Sequence, residues 1–125
     1  MPTTSSNARI LVVDDSIFIC MALEALCDSL GWQLVGPATS IAAGLHLAAA
    51  AAIDAALLDV SLGEEKCWEI AARLQERGIP FAFITGHDLT DALPPRFANT
   101  PLVRKPFRSA VIEPLVRQML ASLRG

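Results

Sequence analysis

What this sequence lacks narrows the field before any motif is read. Its three cysteines, Cys20, Cys27 and Cys67, have neither the spacing of a metal site nor the even count of a disulfide framework. Cys20 and Cys27 lie seven apart on a predicted helix and read as small semi-buried side chains without chemistry. Positive charge is also scarce. Ten Lys and Arg are scattered among thirteen Asp and Glu, for a net charge of −3, which leaves no footprint for nucleic acid or an anionic membrane. No apolar run approaches the roughly 18 residues of a membrane span. Residues 1–8, MPTTSSNA, form a polar, frayed head rather than a signal-peptide core. Repeats and long linkers are missing too. A cytoplasmic globular protein is the expectation that survives.

What is present is enough for one core and no more. The chain has 125 residues, 53% hydrophobic and 18% charged, which suits a single domain over residues 9–125. Its centre is Ala55-Ala56-Leu57-Leu58-Asp59-Val60, continuously apolar like a strand buried on both faces, yet carrying a carboxylate at its end. An ionised carboxylate there is costly unless something nearby compensates it.

The same pattern recurs along the chain. Arg9-Ile10-Leu11-Val12-Val13 is a β-branched run that finishes in Asp14-Asp15. Ser16 can cap a helix whose apolar residues Ile19, Ala22, Leu23, Leu26 and Leu30 recur at spacings of three and four, and Gly31 ends it. Trp32 to Val35 reads as a short strand. Thr39 or Ser40 then caps an alanine-rich helix to about Ala51, with Leu45 and Ala48 inward and His46 outward. After the Asp59 strand, Glu64 to Arg77 shows helical spacing of Cys67, Ile70, Ala71 and Leu74, closed by Gly78-Ile79-Pro80. Phe81 to Gly86 is the fourth strand, and Leu102 to Lys105 the fifth. Between them Pro94-Pro95 permits only a short helix. The last helix contains Pro114: either Ser109 caps it and Pro114 kinks the second turn, or Glu113 caps it and Pro114 takes the first helical position.

Five strands alternating with helices argue for an open parallel sheet covered on both faces. Functional groups in such sheets gather beyond the carboxyl ends of the strands. Here those ends carry Asp14, Asp15, Asp59, Thr85 and Lys105. Three carboxylates brought together cannot all stay ionised without a cation. A Mg2+ ion with oxygen ligands answers that need. Lys105 and Thr85 are then suited to hold phosphoryl oxygens, one as a point charge and one as a hydroxyl donor.

The ordered set Val12-Val13-Asp14-Asp15, Leu57-Leu58-Asp59-Val60, Ile84-Thr85-Gly86 and Lys105-Pro106-Phe107 resembles the receiver domains of two-component response regulators. The segment Pro80-Phe81-Ala82-Phe83-Ile84-Thr85-Gly86 further resembles a stand-alone receiver subfamily with a Pro-Phe-x-Phe-Ala-Thr-Gly motif, Ile84 replacing its usual Ala. The resemblance implies a doubly wound, flavodoxin-like sheet in the order 2-1-3-4-5 with a shortened or irregular fourth helix. It implies a signalling module rather than an enzyme, catalysing only its own phosphorylation and dephosphorylation. Asp59 would accept a phosphoryl group from a histidine kinase or phosphotransfer protein. Asp15, Asp59 and the Ser61 carbonyl would bind Mg2+ directly, Asp14 through water. Thr85 and Lys105 would contact the phosphoryl group, a cis Lys105-Pro106 bond would aim the lysine, and Gly86 would leave room.

Further expectations follow from the resemblance. Ser61 and His87 occupy positions that influence how long the phosphoryl group lasts; His87 either manages the hydrolytic water or is a solvated loop residue. Leu102 stands where many receivers have a switching aromatic, and the chain has no tyrosine. The segment from His87 to Thr100 is instead expected to be mobile and to order on phosphorylation. With no output domain following, signalling would pass through protein contacts, and the partner's histidine-bearing helix would dock near Ile17, Cys20 and Met21. Two rival readings are a receiver-like binding module that is never phosphorylated and a haloacid-dehalogenase-type phosphatase. The latter needs Asp-x-Asp after its first strand, where this chain has adjacent Asp14 and Asp15.

Overall fold

The computed structural model describes residues 7–86 and 93–122. Its elements run β1 (Arg9–Val13), α1 (Ile17–Leu30), β2 (Gln33–Ala38), α2 (Ile41–Ala50), β3 (Ala55–Asp59), β4 (Ser61–Leu62), β5 (Glu65–Lys66), α3 (Trp68–Glu76), β6 (Phe81–Thr85), a 3-10 turn (Pro95–Phe97), β7 (Leu102–Arg104) and α4 (Ser109–Ser122). The parallel sheet has the order β2-β1-β3-β6-β7, the expected order once the β4–β5 hairpin is set aside. Asn7 and Ala8, read as the end of the polar head, are already tied in, by Asn7 N–H to the Gly31 carbonyl and Gln33 N–H to the Ala8 carbonyl, both 2.7 Å.

Alternation along the strands sends side chains to two cores. Leu11, Val13, Ala56, Leu58 and Phe83 face α2 and α3, where they meet Ala48, Ile70, Ala71 and Leu74. Ile10, Val12, Leu57, Ala82 and Ile84 face α1 and α4, where they meet Leu23, Cys27, Ile112 and Val116. Gly44 brings α2 close: a Cβ there would lie 2.5 Å from Ile70 Cδ1.

The helix stops follow the glycines. Gly31 adopts φ +76°, with Trp32 N–H bonded to the Cys27 carbonyl at 2.9 Å, and Gly78 adopts φ +71°, with Ile79 N–H on the Leu74 carbonyl at 2.9 Å. Ser40 caps α2 through Ala43 N–H at 3.1 Å. Of the two alternatives for the last helix, the early start is the one found, with Pro114 inside, but Ser109 is the first helical residue of α4 and not its cap, the first amide bonds falling on the Arg108 carbonyl. β2 runs later than expected, to Ala38, and includes a cis Gly36-Pro37 bond.

One stretch differs from the sequence reading, while the segment before β7 carries only the short helical turn that Pro94-Pro95 allows. The helix expected from Glu64 begins only at Trp68, because Ser61 to Lys66 fold back on themselves around Gly63 at φ +63°. A residue in that conformation cannot open a helix, and glycine adopts it without strain. Of the segment from His87 to Thr100, residues 87–92, His87 included, lie outside the described residues. The remainder forms the 3-10 turn, whose Phe97 is buried against Trp68, Phe81 and Phe83 with ring centroids 5.6 to 5.9 Å apart.

Candidate functional site

The sheet brings the acids of β1 and β3 together because these strands are neighbours in register, Val13 beside Leu58. Asp14 follows β1, Asp59 ends β3, Thr85 ends β6 and Lys105 follows β7, so all four open onto one edge. Asp14, Asp59 and Thr85 are buried, while Asp15 is exposed at the rim. Oxygens of Asp14, Asp15 and Asp59 lie within 4.8 Å of one another.

Lys105 joins the two buried acids. Its Nζ lies 3.0 Å from Asp14 Oδ2 and 3.2 Å from Asp59 Oδ2. The Lys105 N–H donates to the Thr85 carbonyl at 2.7 Å, and the Lys105-Pro106 bond is cis, as expected. Each acid also accepts the amide two residues ahead: Ser16 N–H on Asp14 Oδ1 at 2.8 Å and Ser61 N–H on Asp59 Oδ1 at 3.3 Å. Asp15 Oδ2 receives Gly63 N–H from the tip of the hairpin at 3.1 Å.

One ammonium does not balance three carboxylates. Burial, and then the negative charge of Asp14, push the Asp59 carboxyl up to about 6, against the opposing pull of Lys105 and the Ser61 amide. Burial lowers the Lys105 pKa, but the carboxylates of Asp14 and Asp59 outweigh it and the net shift is upward. Although Lys105 Nζ is close to Asp14 Oδ2, no donor among the described residues is aligned on that buried oxygen. An all-carboxylate donor set with a buried oxygen left without a donor fits a hard divalent cation.

Ser61 is in place beside Asp59, through its backbone amide, and its hydroxyl accepts from Lys66 Nζ at 2.9 Å. Neither Lys66 nor Gly63 was singled out from the sequence. The available signal was Gly63 itself, a turn residue four before Cys67.

The docking face needs one correction. Ile17 and Met21 are exposed, 67% and 59%, but Cys20 is 6% exposed, with its thiol 3.3 Å from the Asp14 carbonyl. Cys20 shares the inward stripe with Leu23 and Cys27, three and seven residues on. The residue that belongs on the outer face is Phe18, 80% exposed. The other two thiols are also buried, Cys27 pushed up to about 11 and Cys67 to about 12, which keeps them protonated.

Fold and site together define a doubly wound α/β protein with an acid cluster and a lysine at the carboxyl edge of its sheet. The sequence model of the response regulator receiver domain matches residues 10–112. The chain belongs to that family. The solution structure of SdrG from Sphingomonas melonis Fr1 is similar at TM-score 0.80 and 34% identity, covering 94% of this chain and 99% of that one. The receiver domain of the PhyR response regulator from Erythrobacter litoralis is similar at TM-score 0.81 and 24% identity, covering 94% and 93%. A response regulator receiver protein from Sinorhizobium medicae WSM419 matches at TM-score 0.76 and 23% identity, covering 95% and 98%. No curated protein sequence matches the chain. Receiver domains are signalling modules, and the family supports a phosphoacceptor role in a response regulator. Among the described residues, no helix is long and apolar enough to cross a membrane.

Proposed function

We propose that the protein is a cytoplasmic phosphoacceptor in a two-component phosphorelay, with Asp59 taking a phosphoryl group from the phosphohistidine of a kinase or phosphotransfer protein. The observation that carries this is the buried Asp59 carboxylate, held between Asp14 and Lys105 at the end of the central strand. A carboxylate fixed at the end of the central strand with Lys105 beside it is placed to attack a phosphoryl group whose charge that lysine offsets. An Asp59 oxygen forms the bond to phosphorus; the phosphorus–nitrogen bond breaks, and its electron pair returns to the imidazole, which takes up a proton.

Asp15, Asp59 and the Ser61 carbonyl would hold Mg2+, with Asp14 acting through water. When bound, the ion neutralises the carboxylates and the incoming phosphoryl oxygens. Lys105, already bridging Asp14 and Asp59, can pass to a phosphoryl oxygen without crossing the site. Thr85, at the end of the strand beside β3, supplies a hydroxyl. The partner would dock on the apolar face of Ile17, Phe18 and Met21, beside the rim acid Asp15. Pro80 to Gly86 supports placement in the stand-alone Pro-Phe-x-Phe-Ala-Thr-Gly subfamily, which would signal onward through a protein effector.

Intact mass after incubation with Mg2+ and acetyl phosphate tests the reading. The wild type gains one phosphoryl group; Asp59→Ala and a chelated wild-type sample gain none. A wild type that stays unmodified, or an Asp59→Ala variant that still gains the group, overturns it. Failure to be modified would favour the unphosphorylated binding module.

A further inference from the structure

The hairpin between β3 and α3 is built around Ser61, two residues after the acceptor. Ser61 and Lys66 are directly paired across its two strands. Its position is fixed at three points: Ser61 N–H on Asp59, Gly63 N–H on Asp15, and Cys67 N–H on the Val60 carbonyl at 3.0 Å. On this frame Lys66 Nζ donates to Ser61 Oγ at 2.9 Å. The lysine is exposed, so its ammonium is not there to satisfy a buried group.

An ammonium only donates, so this bond engages a lone pair of the Ser61 oxygen and turns the hydroxyl proton elsewhere. A hydroxyl that already accepts from a cation is a stronger donor and a poorer acceptor. We infer that Lys66 is a positioning residue that holds the Ser61 hydroxyl as a donor toward the phosphoryl group on Asp59 and thereby lengthens the life of the aspartyl phosphate. This rests on Asp59 being the acceptor. In hydrolysis a water oxygen bonds to phosphorus, the bond from phosphorus to the Asp59 oxygen breaks with its electron pair returning to the carboxylate, and the water proton leaves to solvent. Held by Lys66, Ser61 stabilises the phosphorylated state and does not accept a hydrogen bond from the incoming water.

The test follows loss of the phosphoryl group by intact mass, after removal of donor, for wild type, Lys66→Met, Lys66→Arg, Ser61→Ala and the double variant Ser61→Ala/Lys66→Met. Lys66→Met should decay roughly threefold to tenfold faster than wild type. Ser61→Ala should match it, the double variant should be no faster than either, and Lys66→Arg should stay near wild type. Unchanged decay in Lys66→Met, or effects that multiply in the double variant, overturn the inference while leaving Asp59 as the acceptor. A wild type that takes up no phosphoryl group overturns both. Thermal melts of the unmodified variants within a few degrees of wild type separate this outcome from damage to the fold.

Discussion

Two turns beside the acid cluster share one local pattern and put it to different uses. Asp14-Asp15-Ser16 follows β1 and Asp59-Val60-Ser61 ends β3; in each, the acid accepts the amide of a serine two residues ahead. After Ser16 the chain goes straight into a helix, and the serine hydroxyl accepts Ile19 N–H at 3.4 Å as its cap. After Ser61 it turns back into a hairpin, and the hydroxyl is taken by Lys66 instead. The same acid–serine step therefore builds a helix start in one place and a controlled polar group in the other. What differs is the following sequence: Ile17-Phe18-Ile19, free of glycine and capped by Ser16, against Leu62-Gly63-Glu64, with glycine where the turn needs a positive φ.

The acids give the largest contrast. Asp59→Ala should abolish phosphoryl uptake, whereas Asp14→Ala should slow uptake on the order of 10- to 100-fold and leave Asp59 as the modified residue, read by peptide mapping. Modification elsewhere in the Asp14 variant would break the distinction.

A smaller effect concerns stability in metal-free buffer. The Asp59 pKa is raised from 3.8 to about 6 in the folded protein, so folding favours the protonated acid. That stabilisation is fully present below the unfolded value and is lost as the pH rises through 6. Melting temperature in EDTA should therefore fall across this window. Asp59→Asn should flatten the slope and stabilise the protein at pH 7 by on the order of 1–3 kcal/mol. A variant less stable than wild type at pH 7 would show that Lys105 more than compensates the burial of Asp59.

The serines give the smallest effects and sharpen the comparison most. Ser16→Ala removes a helix cap and should cost about 1 kcal/mol, seen in denaturant melts. Ser61→Ala removes no cap and should stay within about 0.5 kcal/mol of wild type. Equal losses would mean that the hairpin serine is as structural as the cap.

Much of the architecture was legible because it is written in short stretches. Apolar runs closed by acids marked β1 and β3, Gly31 and Gly78 marked helix ends, and Ser16 and the pair Thr39-Ser40 marked helix starts, the structure choosing Ser40 of the pair; each signal acts over a few residues. The hairpin is hidden in the sequence because Cys67, Ile70, Ala71 and Leu74 carry helical spacing that runs on toward Glu64, and only Gly63 marks the turn. Cys20 was placed outward because one register of α1 leaves it beside Ile17, while packing against the sheet turns it in with Leu23 and Cys27. Nothing local to Phe97 announced that it would anchor the segment after residue 92 beneath α3.

The sequence by itself determined the alternation of strands and helices, the acid at the end of the central strand, and the set of polar residues available at the strand ends, since periodicity and turn chemistry are local. Only the tertiary structure decided how those groups meet. Lys105 reaches Asp14 across 91 positions and Gly63 reaches Asp15 across 48, contacts set by strand order and by a hairpin. The raised pKa of Asp59 arises in the same way, from burial and proximity that exist only once the sheet has brought its edges together, whereas the bond from Lys66 to Ser61 needs only the local hairpin.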